Sequence, residues 1–351
     1  MTTSQAPAPP ATAADRERIA QLVCGHMATR TISAAAALGV ADIIGPDGSD
    51  SAQVAAAAGT DPGATLRLLR ALAALEVLRE TEPGRFALTG IGELLRTDRP
   101  DSMAEFVAMT TDPAMLGGWA HLDQAIRTGG EVFSTTFGTS FFGHLAGDPQ
   151  LSARFNAAMR QGTRLAAQVL PQAYDFGRFR TVADVGGGDG TLLAAVLAAH
   201  PEVQGLLYDT AEGLAQADTT LAGAGVAERC TLATGDFFAS VPAGAEAYLL
   251  KSILHDWDDE RAAVILRHVR AVIPPHGRLL IVDAVLPDLV DAQRSPLGHL
   301  GDLNMLVQLS GRERTRSDFA ALCQATGFRL TSVTGLAPAR FSLVEAVPTG
   351  C

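Results

Sequence analysis

His255 stands in the run Leu254-His255-Asp256-Trp257-Asp258-Asp259-Glu260, just past the apolar stretch Tyr248-Leu249-Leu250. An imidazole titrates near pH 6.5, so at neutral pH it can take a proton from an acidic hydroxyl such as a phenol. A carboxylate beside it would hold one tautomer and stabilise the imidazolium. Two acids are candidates for that role. Asp283 ends the apolar run Leu279-Leu280-Ile281-Val282, and Glu313 is set between Arg312 and Arg314. A single histidine is more often structural than catalytic; what favours the base is its place beside a second constellation upstream.

That constellation begins at Val182-Ala183-Asp184-Val185, a short apolar strand that breaks into Gly186-Gly187-Gly188-Asp189-Gly190 and then opens a helix with Leu192, Leu193, Val196 and Leu197 at helical spacing. Glycines there let backbone N–H groups approach a ligand closely, as at a nucleotide-type cofactor. The spacing G-x-G-x-G departs from the dinucleotide fingerprint G-x-G-x-x-G/A. Asp209, nineteen residues beyond Gly190, ends the next strand and can accept from ribose hydroxyls of either a nicotinamide dinucleotide or S-adenosyl-methionine. Asp236, in Gly235-Asp236-Phe237-Phe238, can accept from an adenine amino group while Phe237 packs on the purine; Asp236 also reads as an ordinary turn residue. Lys251 is the chain's single lysine against twenty-six arginines, and it falls beside His255. That places it at a site or leaves it a survivor of a coding bias.

The elements that must hold these residues alternate strand and helix. Strands are expected near 181–185, 206–209, 229–233, 246–251, 278–285, 328–334 and 341–346, and helices at 190–199, 212–223, 259–272 and 315–326. Such alternation means a parallel doubly wound sheet, and ending on two strands implies an antiparallel pair at one edge. Upstream, 15–110 reads as short apolar-faced helices, a helix-turn-helix over 51–77, and a turn and strand at 82–89. The shape suggests a winged helix. DNA reading is disfavoured by nine Arg against thirteen Asp and Glu in residues 1–110, and by a net charge of −11 for the chain. Residues 111–175 form an aromatic-rich helical connector that would line a pocket, and residues 1–14 read as a disordered tail without signal-peptide character. Four cysteines lack metal-ligand or pairing spacing, and no run of about 18 apolar residues suggests a membrane span. A reducing cytoplasm is the simplest home.

The runs DVGGGDG (184–190), GDFF (235–238), LHDWDDE (254–260), LLIVD (279–283), DLNMLV (302–307) and GRERT (311–315) together resemble the small-molecule O-methyltransferases, both the plant caffeate and flavonoid enzymes and bacterial members acting on aromatic polyketides and antibiotic scaffolds. The resemblance covers nearly the whole chain. It implies a Rossmann-like α/β class I methyltransferase domain at 176–351, a seven-stranded sheet with a terminal antiparallel strand pair, preceded by an all-α winged-helix-like dimerisation domain. It implies S-adenosyl-methionine as cofactor, S-adenosyl-homocysteine as product, a small aromatic acceptor, a homodimer, and no metal. Position by position, Asp184, Gly186 and Gly188 would meet the methionine part, Asp209 the ribose, Asp236 and Phe237 the adenine, and Lys251 would lie close by. His255 takes the place of the general base, with Asp283 and Glu313 as flanking acids. The plant pattern has glutamate where Asp283 stands, one methylene longer, which makes Glu313 the safer partner. Met159, Asp256, Asn304 and Met305 would face the acceptor, although Met159 and Met305 read equally well as core methionines. Rival readings are an NAD-linked oxidoreductase, a DNA-binding regulator, and a methyltransferase fold turned to decarboxylation or hydroxylation.

Overall fold

The computed structural model describes residues 10–350 apart from Arg294, and the chain divides into two compact units, up to Pro113 and from Ala114 onward. Of the segment read as a disordered tail, residues 1–9 lie outside the described residues; a helix, Ala13–Val23, already starts at its end. Thr12 and Asp15 form a reciprocal capping box there, which satisfies donors that a helix N-terminus otherwise leaves open.

The unit expected as all-α and winged-helix-like is helical in its core and carries a small wing. Strands β1 (Ser49–Asp50), β2 (Leu78–Glu82) and β3 (Arg85–Leu88) pair in the order β1-β3-β2. The helix expected at 66–77 runs Pro62–Ala74, because Asp61 caps it and Pro62 supplies its first position. Leu69 and Leu72 on its inner side pack with Val54, Val77, Leu78 and Phe86. Helix Ala13–Val23 buries none of its residues, and Ile19, Leu22 and Val23 are all more than half exposed.

The second unit is built on β4 (Thr181–Val185), β5 (Gln204–Asp209), β6 (Cys230–Thr234), β7 (Ala247–Lys251), β8 (Arg278–Asp283), the short β9 (Val285–Leu286) and β10 (Arg314–Thr315), then β11 (Phe328–Gly335) and β12 (Ser342–Pro348). Seven of them form one sheet in the order β11-β12-β8-β7-β4-β5-β6. Five of its strands, β8-β7-β4-β5-β6, are parallel, whereas β12 runs antiparallel to both β8 and β11, the terminal pair expected from the sequence. Strand β4 is buried on both faces, which is why it reads as a continuous apolar run. One apolar cluster covers each face of the sheet. The chain winds one way from β4 to β6 and the other from β7 to β8, so a crevice opens at the carboxyl ends of β4 and β7.

Some boundaries differ from those expected. The strand expected at 278–285 is split into β8 and β9, and β9 pairs in parallel with β10. The helix expected at 212–223 is a 3₁₀ turn, Gly213–Gln216, followed by Ala217–Gly223. Helix Leu297–Leu309 was not expected. It carries Gly298 and Gly301 and buries a glutamine, Gln308, whose amide donates to the Met115 carbonyl at 2.7 Å. Its apolar residues therefore mark no single face. Among the described residues no helix is long and apolar enough to cross a membrane.

Candidate active site

The glycine turn leaves β4 at the crevice. Gly186 has φ +72°, and a Cβ there would lie 2.4 Å from Ile253 Cδ1, so both conformation and space call for glycine. Gly188 has φ +56° with open space where a Cβ would stand. Its N–H donates to Asp209 Oδ2 at 2.8 Å, and Asp209 Oδ1 accepts from Thr210 N at 2.6 Å. The ribose candidate thus also ties β5 to the glycine turn. Asp236 is exposed and accepts from Phe238 N at 2.8 Å, which supports its turn reading and leaves it at the crevice edge. The Phe237 ring comes within 3.5 Å of the position a Gly186 Cβ would take.

Beneath the turn lies Asp184, 1% exposed, directly under Gly187, where a Cβ would sit 2.7 Å from its Cγ. Neither of its oxygens has a hydrogen-bond partner among the described residues. Burial pushes its carboxyl up to about 7, against the pull of Lys251. Lys251, the last residue of β7, has its ammonium 5.1 Å from the Phe341 ring centroid. Burial lowers its pKa, while Asp283, Asp184 and Asp256 oppose that change. The single lysine is thus the cation among several buried acids.

After β7 the chain turns through Ser252, whose φ of +54° is uncommon for a residue with a side chain. That turn leads into the one-turn 3₁₀ helix Leu254–Asp256, which presents His255 at the carboxyl edge. His255 Nδ1 lies 3.0 Å from Glu313 Oε1, and Nε2 lies 3.4 Å from Asp256 Oδ1. Glu313 is itself held through its backbone N–H, which donates to Asp302 Oδ1 at 2.9 Å. A carboxylate at Nδ1 makes that nitrogen the N–H of the neutral ring and leaves the lone pair on Nε2. Burial works to lower the imidazole pKa, but Asp256, Glu313 and Asp283 outweigh it and hold it up at about 10. Asp256 is raised by burial to about 6, and Asp283, 1% exposed and without a hydrogen-bond partner among the described residues, to about 7.

Of the residues expected at the site, His255 and Glu313 meet directly. Asp283 makes no hydrogen bond to the ring, in keeping with its shorter side chain. Asp256, expected to face the acceptor, lies beside the His255 Nε2 edge. Asn304 accepts from the Trp119 indole N–H at 3.0 Å. Met159 and Met305 are part-exposed on helices Pro149–Ala173 and Leu297–Leu309. Sequence reasoning misses Gly187, Asp302 and Trp119: Gly187 is hidden inside the glycine run, and the partners of the other two lie far off in sequence. An open glycine turn, an acid on its backbone and an aromatic ring fit a nucleoside with an amino-acid tail.

A sheet with this switch point and an antiparallel edge pair has the class I methyltransferase fold, here with a carboxylate-paired histidine at its carboxyl edge. The chain belongs to the S-adenosyl-methionine-dependent O-methyltransferases: the O-methyltransferase domain family matches residues 119–329, and the O-methyltransferase dimerisation domain family matches residues 20–98. It is 49% identical to the O-demethylpuromycin-O-methyltransferase of Streptomyces alboniger, over 95% of this chain and 89% of that one. It is 40% identical to the phenazine O-methyltransferase PhzM of Lysobacter antibioticus, over 93% and 95%. Among solved structures, an O-methyltransferase of neocarzinostatin biosynthesis, in complex with S-adenosylmethionine and 2-hydroxy-5-methyl naphthoic acid, superposes with a TM-score of 0.78 at 32% identity, over 92% and 96%. The nicotinamide reading gives way to a methyl donor.

Proposed function

We propose that the enzyme methylates a phenolic hydroxyl of an aromatic natural product, with His255 as general base and no metal in the step. The observation that carries this is the His255–Glu313 contact of 3.0 Å, on the same sheet edge as the glycine turn. The relatives' acceptors, a demethylated puromycin, a phenazine and a hydroxynaphthoic acid, support the acceptor class.

S-adenosyl-methionine, when bound, supplies an electrophilic methyl and departs as S-adenosyl-homocysteine. The chain's residues do the rest. Gly186, Gly188, Asp209, Asp236 and Phe237 hold the nucleoside and its tail, with Asp184 and Lys251 setting the charge beneath them. Asp256, Met159, Asn304 and Met305 bound the acceptor side. Placing the acceptor oxygen in line supplies much of the rate. His255 Nε2 takes the phenolic proton as the new O–C bond forms, and Glu313 stabilises the imidazolium at Nδ1. In the ligand-free chain the surrounding acids favour imidazolium, so Nε2 is freed at alkaline pH or when another positive charge shares those acids.

We also infer a homodimer formed through the N-terminal unit, where Ile19, Leu22, Val23 and Met27 are exposed together on the first two helices. The reaction is tested by incubating the enzyme and isotopically labelled S-adenosyl-methionine with a panel of phenolic polyketides and phenazines. A mass gain of one labelled methyl per S-adenosyl-homocysteine is expected. A gain of oxygen or loss of carbon dioxide would assign the site to other chemistry.

A further inference from the structure

The segment Gly311–Arg314 lies close against the His255 turn, and its last three residues bond to it. Arg312 N donates to the His255 carbonyl at 2.9 Å, and the Glu313 side chain meets His255 Nδ1. Arg314, only 1% exposed, donates from Nη1 to the Leu254 carbonyl at 2.6 Å, from Nη2 to the Trp257 carbonyl at 2.9 Å, and from Nε to Asp259 Oδ1 at 2.9 Å. Leu254 and Trp257 bracket His255 and Asp256, so one guanidinium grips the short turn on both sides of the base. Burying a carbonyl unpaired is costly. The Leu254 carbonyl also takes the Trp257 N–H at 3.3 Å, so Arg314 adds a second donor there and ties it to the Trp257 carbonyl. Only a planar fork with five donors spans them; an ammonium is a point with three. Gly311 provides the room. A Cβ there would lie 2.1 Å from the His255 carbonyl oxygen and 2.7 Å from the Asp256 carbonyl carbon. Any side chain would push the segment off the turn and draw Glu313 away from Nδ1.

We propose that Arg314 and Gly311 are positioning residues of methyl transfer, locking the turn that carries His255 onto the segment that carries Glu313. The proposal rests on His255 being the base. Arg314 is too deeply buried to touch a ligand, so its effect reaches the reaction only through the imidazole's place and partner.

The test uses the full-length enzyme and the variants Gly311→Ala, Arg314→Lys and Asp259→Asn. The last loosens Arg314 from a half-exposed acid and leaves the core intact. Calorimetry with S-adenosyl-homocysteine, thermal unfolding and the pH profile of turnover are read together. In folded variants, homocysteine-nucleoside affinity should stay within about twofold while kcat falls on the order of 10- to 100-fold for Gly311→Ala and Arg314→Lys, and less for Asp259→Asn, the scale expected when a reacting group is displaced by about 1 Å. The pH limb governed by His255 should move toward the ordinary imidazole value as Glu313 loses contact. Wild-type kcat and an unmoved limb in Asp259→Asn, or in either folded variant of the pair, overturns the positioning role. So does a loss of affinity matching the loss of kcat. His255→Ala separates this from the base reading: full turnover there ends the base itself, whereas a crippled His255→Ala beside unimpaired Gly311→Ala and Asp259→Asn overturns the positioning role alone.

Discussion

At the scale of single residues, the site distributes protons among crowded acids. The charge of Asp256 is the largest single influence that raises His255, and Glu313 raises it twice, through its hydrogen bond at the shorter contact and through its charge. With kcat/KM reporting the free enzyme, activity should rise along an alkaline limb well above pH 6.5, about the ordinary imidazole value. Asp256→Asn removes one of the charges that raise the ring, so the limb should shift toward neutral pH; an NMR titration of the His255 ring protons or a pH–rate profile checks this. Asp209 acts elsewhere. It accepts from Gly188 N–H in the glycine turn, and the ribose role proposed for it predicts that Asp209→Ala weakens S-adenosyl-homocysteine binding at least tenfold in calorimetry, about 1.4 kcal/mol.

At the scale of elements, what is legible in the sequence is what obeys a local rule. The strand at 181–185 shows itself by an apolar run ending in glycine, and the helix at 259–272 by its cap and apolar period; both stand where those patterns put them. Helix Leu297–Leu309 escapes because its polar residues turn inward to Trp119, Met115 and Glu313, contacts that no local pattern encodes. In the same way His255 and the two candidate acids are legible, but the choice of Glu313 over Asp283 depends on a loop 58 residues away. The glycine turn is the element most sensitive to a single atom. Gly186→Ala must enter a left-handed backbone at a cost of about 1–2 kcal/mol and collide with Ile253. Denaturant unfolding should show at least that loss, and nucleoside binding should fall with it.

At the scale of the whole molecule, helix Ala13–Val23 leaves its apolar side chains uncovered by the described residues. Burying them against a second copy is the simplest answer for a chain whose N-terminal segment belongs to a dimerisation family. Sedimentation should show two chains per particle, and Leu22→Asp with Val23→Asp should shift that species toward the monomer; a wild-type chain that sediments as a monomer contradicts the dimer. The central claim is chemical, and it rests on one side chain. Turnover of His255→Ala, measured by labelled methyl transfer on enzyme shown by calorimetry to bind S-adenosyl-homocysteine normally, should fall by about 10²–10⁴-fold. Full turnover at neutral pH in that variant would contradict the account and leave positioning alone as the catalyst.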